Sequence, residues 1–155
     1  MKALLFLALA VSAAAFGDDT MPAPIPLNPD VTEDTLDSTI CVSGYTKTVR
    51  PPVSYTNKLK LALMKLDGIP RSRASEFELD HHVPLTLGGA PKDPRNLQLQ
   101  AWAVTMRGWT GETAAKVKDK IEVKLNHLVC SGAMPLAEAQ VCIWNDWRAC
   151  AAGLK

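Results

Sequence analysis

The 155-residue chain lacks a strong charge of either sign, and it lacks closely spaced cysteines. Beyond its first fifteen residues it also lacks any apolar run long enough to span a bilayer. A formal net charge of +1 excludes a histone-like polycation and an acidic-tail protein. Cys41, Cys130, Cys142 and Cys150 include no Cys-x-x-Cys pair, which argues against a zinc knuckle. No internal repeat is visible. What is present suffices for one packed domain: 47% of the residues are hydrophobic and 21% charged.

The N-terminus reads as an address. Lys2 precedes an unbroken apolar run from Ala3 to Val11, and small residues follow at 12–15. This order of basic start, short apolar stretch and small residues predicts a signal peptide over 1–15, cut after Ala15, and hence export to a periplasm or the exterior. Lys2 leaves with it, and the remaining basic and acidic residues balance at sixteen each. Their distribution is uneven. Asp18, Asp19, Asp30, Glu33, Asp34 and Asp37 crowd a proline-containing segment, 16–37, that reads as a flexible or extended leader. Lys47, Arg50, Lys58, Lys60, Lys65, Arg71 and Arg73 follow, opposed only by Asp67. That run offers a polyanion a basic surface, or simply forms solvated faces.

An oxidising compartment predicts disulfides. Four cysteines allow three pairings. Cys41–Cys130 is the first choice, tying the start of the folded part to the end of a long helix. In a straight helix Cys142 and Cys150 would stand about 12 Å apart, so they pair only if the helix stops before Cys150.

Residues 40–49 are β-rich and predict a strand or hairpin closed by Pro51-Pro52. Leu59, Ala62, Leu63 and Leu66 recur at helical spacing over 57–66. Phe77, Leu79, His81, Val83 and Leu85 alternate as in a strand. A loop with Gly88-Gly89 and Pro91 to Pro94 follows, then a second alternating segment over 96–101. Helices are predicted over 112–129 and 136–147, the latter opened by Pro135. The central order is strand, loop, strand, helix.

The residues able to do chemistry cluster at Glu78-Leu79-Asp80-His81-His82-Val83-Pro84-Leu85, with Gly88-Gly89 and Asn96-Leu97 beyond. A carboxylate binds a hard cation through oxygen, and a neutral imidazole accepts a proton near neutral pH. Together they are the minimum for cutting a phosphodiester with one metal ion.

Asp80-His81, Pro84, Gly88-Gly89 and Asn96-Leu97, followed by Lys118-Asp119 with Glu122, Val129-Cys130-Ser131-Gly132 and Ala139-Gln140, resemble the HNH endonucleases, and within them a branch of small proteins. The resemblance implies an α+β fold with a ββα-metal core, extra packed helices and disulfide staples over 38–155. It implies a secreted endonuclease with little sequence preference, acting on nucleic acid, in the first place DNA. Asp80 resembles the metal-binding carboxylate and His81 the general base. Asn96 resembles the asparagine that links the arms of the loop. The cofactor implied is one divalent ion, Mg²⁺ before Mn²⁺, Ni²⁺ or Zn²⁺. The third ligand position departs from the family pattern; Asp119 is the candidate, with Glu112 and Asn126 as alternatives. His82 is the alternative base, with His81 then a ligand. Arg95, Lys116 and Lys118 are candidate phosphate contacts.

Blander readings stand beside these. Asp80-His81 alone could be a structural pair, Asn96 and Gly88-Gly89 turn residues, and Asp119 a helix-surface acid. Trp102, Trp109, Trp144 and Trp147 read as packing residues rather than base-stacking platforms, and His127 as a helix-surface residue. A nucleic-acid-binding module without activity and a disulfide-stapled envelope protein are the rival functions.

Overall fold

The computed structural model describes residues 23–102 and 113–154. The expected signal peptide, Trp109 and Glu112 lie outside them. The fold is α+β with a small antiparallel sheet and two disulfides. In chain order it has α1 (Tyr45–Val49), α2 (Val53–Leu66), β1 (Phe77–His81), β2 (Leu97–Ala101), α3 (Ala114–Cys130) and α4 (Leu136–Gly153). Among the described residues no helix is long and apolar enough to cross a membrane.

Both alternating segments form strands, paired from Phe77↔Ala101 to His81↔Leu97, but the first ends at His81, short of the expected Val83 and Leu85. Successive side chains on β1 therefore leave by opposite faces. The Phe77, Leu79 and His81 face meets α2, where Lys60 Nζ donates to the Phe77 carbonyl at 2.6 Å. The Glu78 and Asp80 face meets α3. On α3, Val117, Ile121, Leu125 and Val129 fall on one buried stripe. They pack with Leu136, Ala139, Ile143 and Trp147 of α4, and with Val83 and Leu87 from the loop between the strands.

Three other expectations need correction. The segment expected to be a strand, 40–49, makes turns and then α1. Gly44 adopts φ +86° immediately before Tyr45, which turns the chain into a helix. Helix α2 begins at Val53, directly after Pro52, not at Asn57. Its deepest residue is Met64, whereas Leu66 is 81% exposed, because the helix covers only a two-stranded sheet. The described part of the leader is extended near its prolines but is not free. Leu27 bridges to Gly89, Ala90 N donates to the Pro26 carbonyl at 3.0 Å, and Val31 is buried in the core. A Cβ on Gly88, which has φ +74°, would lie 2.7 Å from Val31 Cγ1. Only glycine lets the leader approach there.

Cys41–Cys130 forms as expected, with Cα atoms 5.5 Å apart. Cys142–Cys150 also forms, with Cα atoms 5.4 Å apart. The physical condition for it is met at Asp146, whose φ −162° and ψ 97° interrupt α4 between the two cysteines. The two bridges close loops of 89 and 8 residues. Chain-entropy scaling then assigns the first roughly 4–5 kcal/mol and the second roughly 2–3 kcal/mol. Urea unfolding of the two double Cys→Ser variants should show the Cys41/Cys130 pair to be the more costly loss.

Candidate functional site

The loop from His82 to Asn96 is held by side chains rather than by sheet pairing. Asn96 is fully buried. Its Oδ1 accepts from Val83 N at 2.8 Å, and its Nδ2 donates to the carbonyls of Val83 at 3.0 Å and Ala90 at 3.1 Å. One amide thus pins both arms of the loop. A Cβ on Gly89 would fall 1.8 Å from the Val83 carbonyl oxygen, so the tight crossing requires glycine. From outside, Asn126 Nδ2 donates to the Thr86 carbonyl at 2.8 Å and Gln140 Nε2 to the Leu87 carbonyl at 2.9 Å.

On the α2 face, His81 lines an open groove of about 490 Å³. Arg50, Thr56, Asn57, Lys60, Ser75 and one acid, Glu78, line it too, with Phe77 and Trp102 as its aromatic surface. Trp102 is 39% exposed, so it is not the packing residue expected. His81 Nε2 lies 3.1 Å from the Pro91 carbonyl oxygen. A carbonyl only accepts, so the neutral ring carries its proton on Nε2 and keeps its lone pair on Nδ1. Burial, with smaller contributions from Arg50 and Lys118, holds the imidazole below its ordinary value against Pro91 and Asp80, favouring the neutral base.

On the α3 face stands a different constellation. Lys118 is 1% exposed. Its Nζ lies 2.8 Å from Asp80 Oδ2, donates to the His81 carbonyl at 2.8 Å and donates to Glu122 Oε1 one turn along. With the Gln100 amide nitrogen turned toward it, Asp80 Oδ2 also accepts from that residue at 2.9 Å. Burial works against the ammonium, but Glu122 and Asp80 outweigh it and hold Lys118 above its ordinary value. Two carboxylates share this single cation. Glu122 is accordingly pushed up to about 7, first by burial and then by Asp80, against the pull of Lys118. Glu78 is pushed up to about 7 by burial, Asp80 and Asp119. Asp119 itself is raised by burial and by Asp80.

The expectation that Asp80 and His81 converge on one ion is therefore corrected. The strand stays regular through both residues, so alternation sends them to opposite faces. Nor does a divalent ion fit the donors beside Asp80. The inward position is filled by an ammonium with three acceptors, and among the described residues no three His, Cys, Asp or Glu side chains group as a metal site. His82 packs edge-on to Trp144, with centroids 5.3 Å apart, away from the groove. Asn126 Nδ2 donates to the carbonyls of Ile40 at 3.3 Å and Thr86 at 2.8 Å, so its amide serves to tie the loop to the segment before α1. Asp119 is exposed on α3. Arg95 is engaged by Asp93 at 2.6 Å, and Lys116 is exposed near the start of α3. Lys118, expected to meet phosphate, is buried and cannot.

Sequence reasoning named Arg50 and Lys60 only in the basic run and Glu78 and Glu122 only within the motif, and gave none of them a role in these two sites. A signal for the last existed. Lys118 sits on the apolar stripe of α3 with Glu122 four residues on, and a lysine on a buried face demands a carboxylate partner.

Asn96→Ala leaves a buried N–H and two carbonyls without this partner, and should cost roughly 2–4 kcal/mol in urea unfolding. The Glu122 linkage has a definite sign. Its folded-state value lies above the ordinary carboxyl value, so its contribution is fully present below about pH 4.5 and is lost as pH rises through about 7. Glu122→Gln abolishes that loss. Its stability relative to the parent chain, measured by denaturant titration from pH 4 to 8, should rise with pH across this window.

In comparisons with family models, curated proteins and solved structures, nothing matches the chain significantly.

Proposed function

We propose that the protein is an exported phosphodiester hydrolase of the HNH type, acting on the backbone of nucleic acid laid in the groove beside His81. The observation that carries this reading is a proton-accepting imidazole, kept neutral by burial, in the same groove as Arg50 and Lys60. The Asp80-His81…Asn96 motif supports it. In this mechanism His81 Nδ1 takes a proton from water as the oxygen attacks phosphorus in line. The P–O3′ bond breaks, and the 3′ oxygen leaves and is protonated by solvent. Arg50 and Lys60 offset the charge gathering on the phosphoryl oxygens. Trp102 provides a partly exposed surface on which a base can stack. Contacts to the backbone dominate, so sequence preference is weak. Asn96 acts through the loop, keeping the end of β1 in position, and does not touch substrate. Two disulfides suit an oxidising compartment, which supports export.

A second reading, binding without cleavage, is favoured by one feature: the His81 ring is already engaged by the Pro91 carbonyl. Plasmid nicking and fluorescence anisotropy with a short duplex separate the two. The hydrolase reading expects His81→Ala to lower cleavage at least about 100-fold while leaving binding nearly intact. It also expects the cleavage rate to reach its plateau at a pH below that of an unperturbed histidine. Arg50→Ala should weaken binding to all sequences alike and reduce the salt slope by about 1. Binding with no cleavage in the parent chain would favour the second reading.

A further inference from the structure

The most unusual group in the molecule is the Lys118 ammonium. Lysine is almost never fully buried without a partner. Here three acceptors surround its Nζ: Asp80 Oδ2, Glu122 Oε1 and the His81 carbonyl oxygen. An ammonium has three N–H bonds, so this set satisfies it completely. The acceptors are all oxygens, drawn from the end of β1 and from α3, the elements between which a hard cation would be clasped.

We propose that Lys118 is this protein's built-in cation: its ammonium stands between Asp80 and Glu122 in place of the divalent ion that the HNH resemblance implies, so the protein neither binds nor requires a metal at Asp80. The contacts favour this arrangement. Lys118 is 1% exposed, and its Nζ already occupies the place between Asp80 Oδ2 and Glu122 Oε1 that a divalent ion would have to take. The ammonium also ties β1 to α3 directly behind His81, because it grips that residue's own carbonyl at 2.8 Å. Lys118 is thus a positioning residue for the imidazole, whose side chain leaves by the other face. The metal-exclusion part stands on these contacts alone. The consequence for catalysis rests on the hydrolase reading above.

The test is a titration of the intact, disulfide-bonded protein with Mn²⁺, followed by paramagnetic broadening of assigned amide signals. The amides of Asp80, Lys118 and Glu122 should stay sharp, and thermal unfolding should be the same in EDTA as in Mg²⁺, Mn²⁺, Ni²⁺ or Zn²⁺. Broadening centred on those three amides would overturn the proposal. In Lys118→Met the carboxylates face an uncharged side chain, and the same titration should now broaden them. A folded Lys118→Met that ignores Mn²⁺ at Asp80 would reject the claim that the ammonium stands in a metal's place. Where cleavage is observed, EDTA should leave its rate within twofold, whereas a loss restored by Mg²⁺ would overturn metal independence. No cleavage at all, with those three amides still sharp, would reject the hydrolase reading and leave the Lys118 assignment standing.

Discussion

A lysine ammonium sealed behind a two-stranded sheet sets the terms for the rest of this molecule. Desolvating it is costly, and only a full set of acceptors in fixed positions offsets that cost. Asp80, Glu122 and the His81 carbonyl supply the set. In doing so they fix the distance between β1 and α3 and the end of the strand that carries His81. The neighbouring apolar contacts of Val117, Ile121 and Leu125 provide the bulk of the packing, but they are not directional. The ion cluster is directional, and it selects one register of helix against strand.

Alternation along β1 then divides the chemistry between two compartments. One face holds Asp80 and Glu122 with their internal cation. The other holds the imidazole, open to a groove with Arg50, Lys60 and Trp102. The two are coupled through the backbone of His81, whose carbonyl serves the first compartment while its ring serves the second. Asn96 adds a second restraint from the loop side. It holds Val83 and Ala90 together, and its own carbonyl accepts from His82 N at 2.8 Å. The residues around the imidazole are thus restrained by polar contacts from both directions, although the sheet itself has only ten residues.

Legibility followed the range of the interactions. The strands, α3 and most of α4 were readable, because their apolar residues repeat at the periods of strand and helix. Asn96 as the clasp of the loop followed from its motif. Residues 40–49 were misread because their β-rich composition competes with a glycine turn, and because a strand needs a partner that this sheet does not provide. Lys118 was misread as a surface phosphate contact because its charge was weighed alone, without the stripe on which it lies. Arg50 and Lys60 could not be placed at the site. They belong to a different part of the chain, and only the packing of α2 on the sheet brings them beside His81.

By itself the sequence determined the local matters: where most of the strands and the long helices lie, that the cysteines pair, that Gly88 and Gly89 mark a loop, and that an Asp-His pair lies on the first strand. Only the tertiary structure decided what those groups face. Periodicity specifies which side of an element is apolar, but a partner is chosen by three-dimensional packing. Here packing gave Asp80 an ammonium and His81 a basic groove, two surroundings that the same dipeptide in another fold would not have.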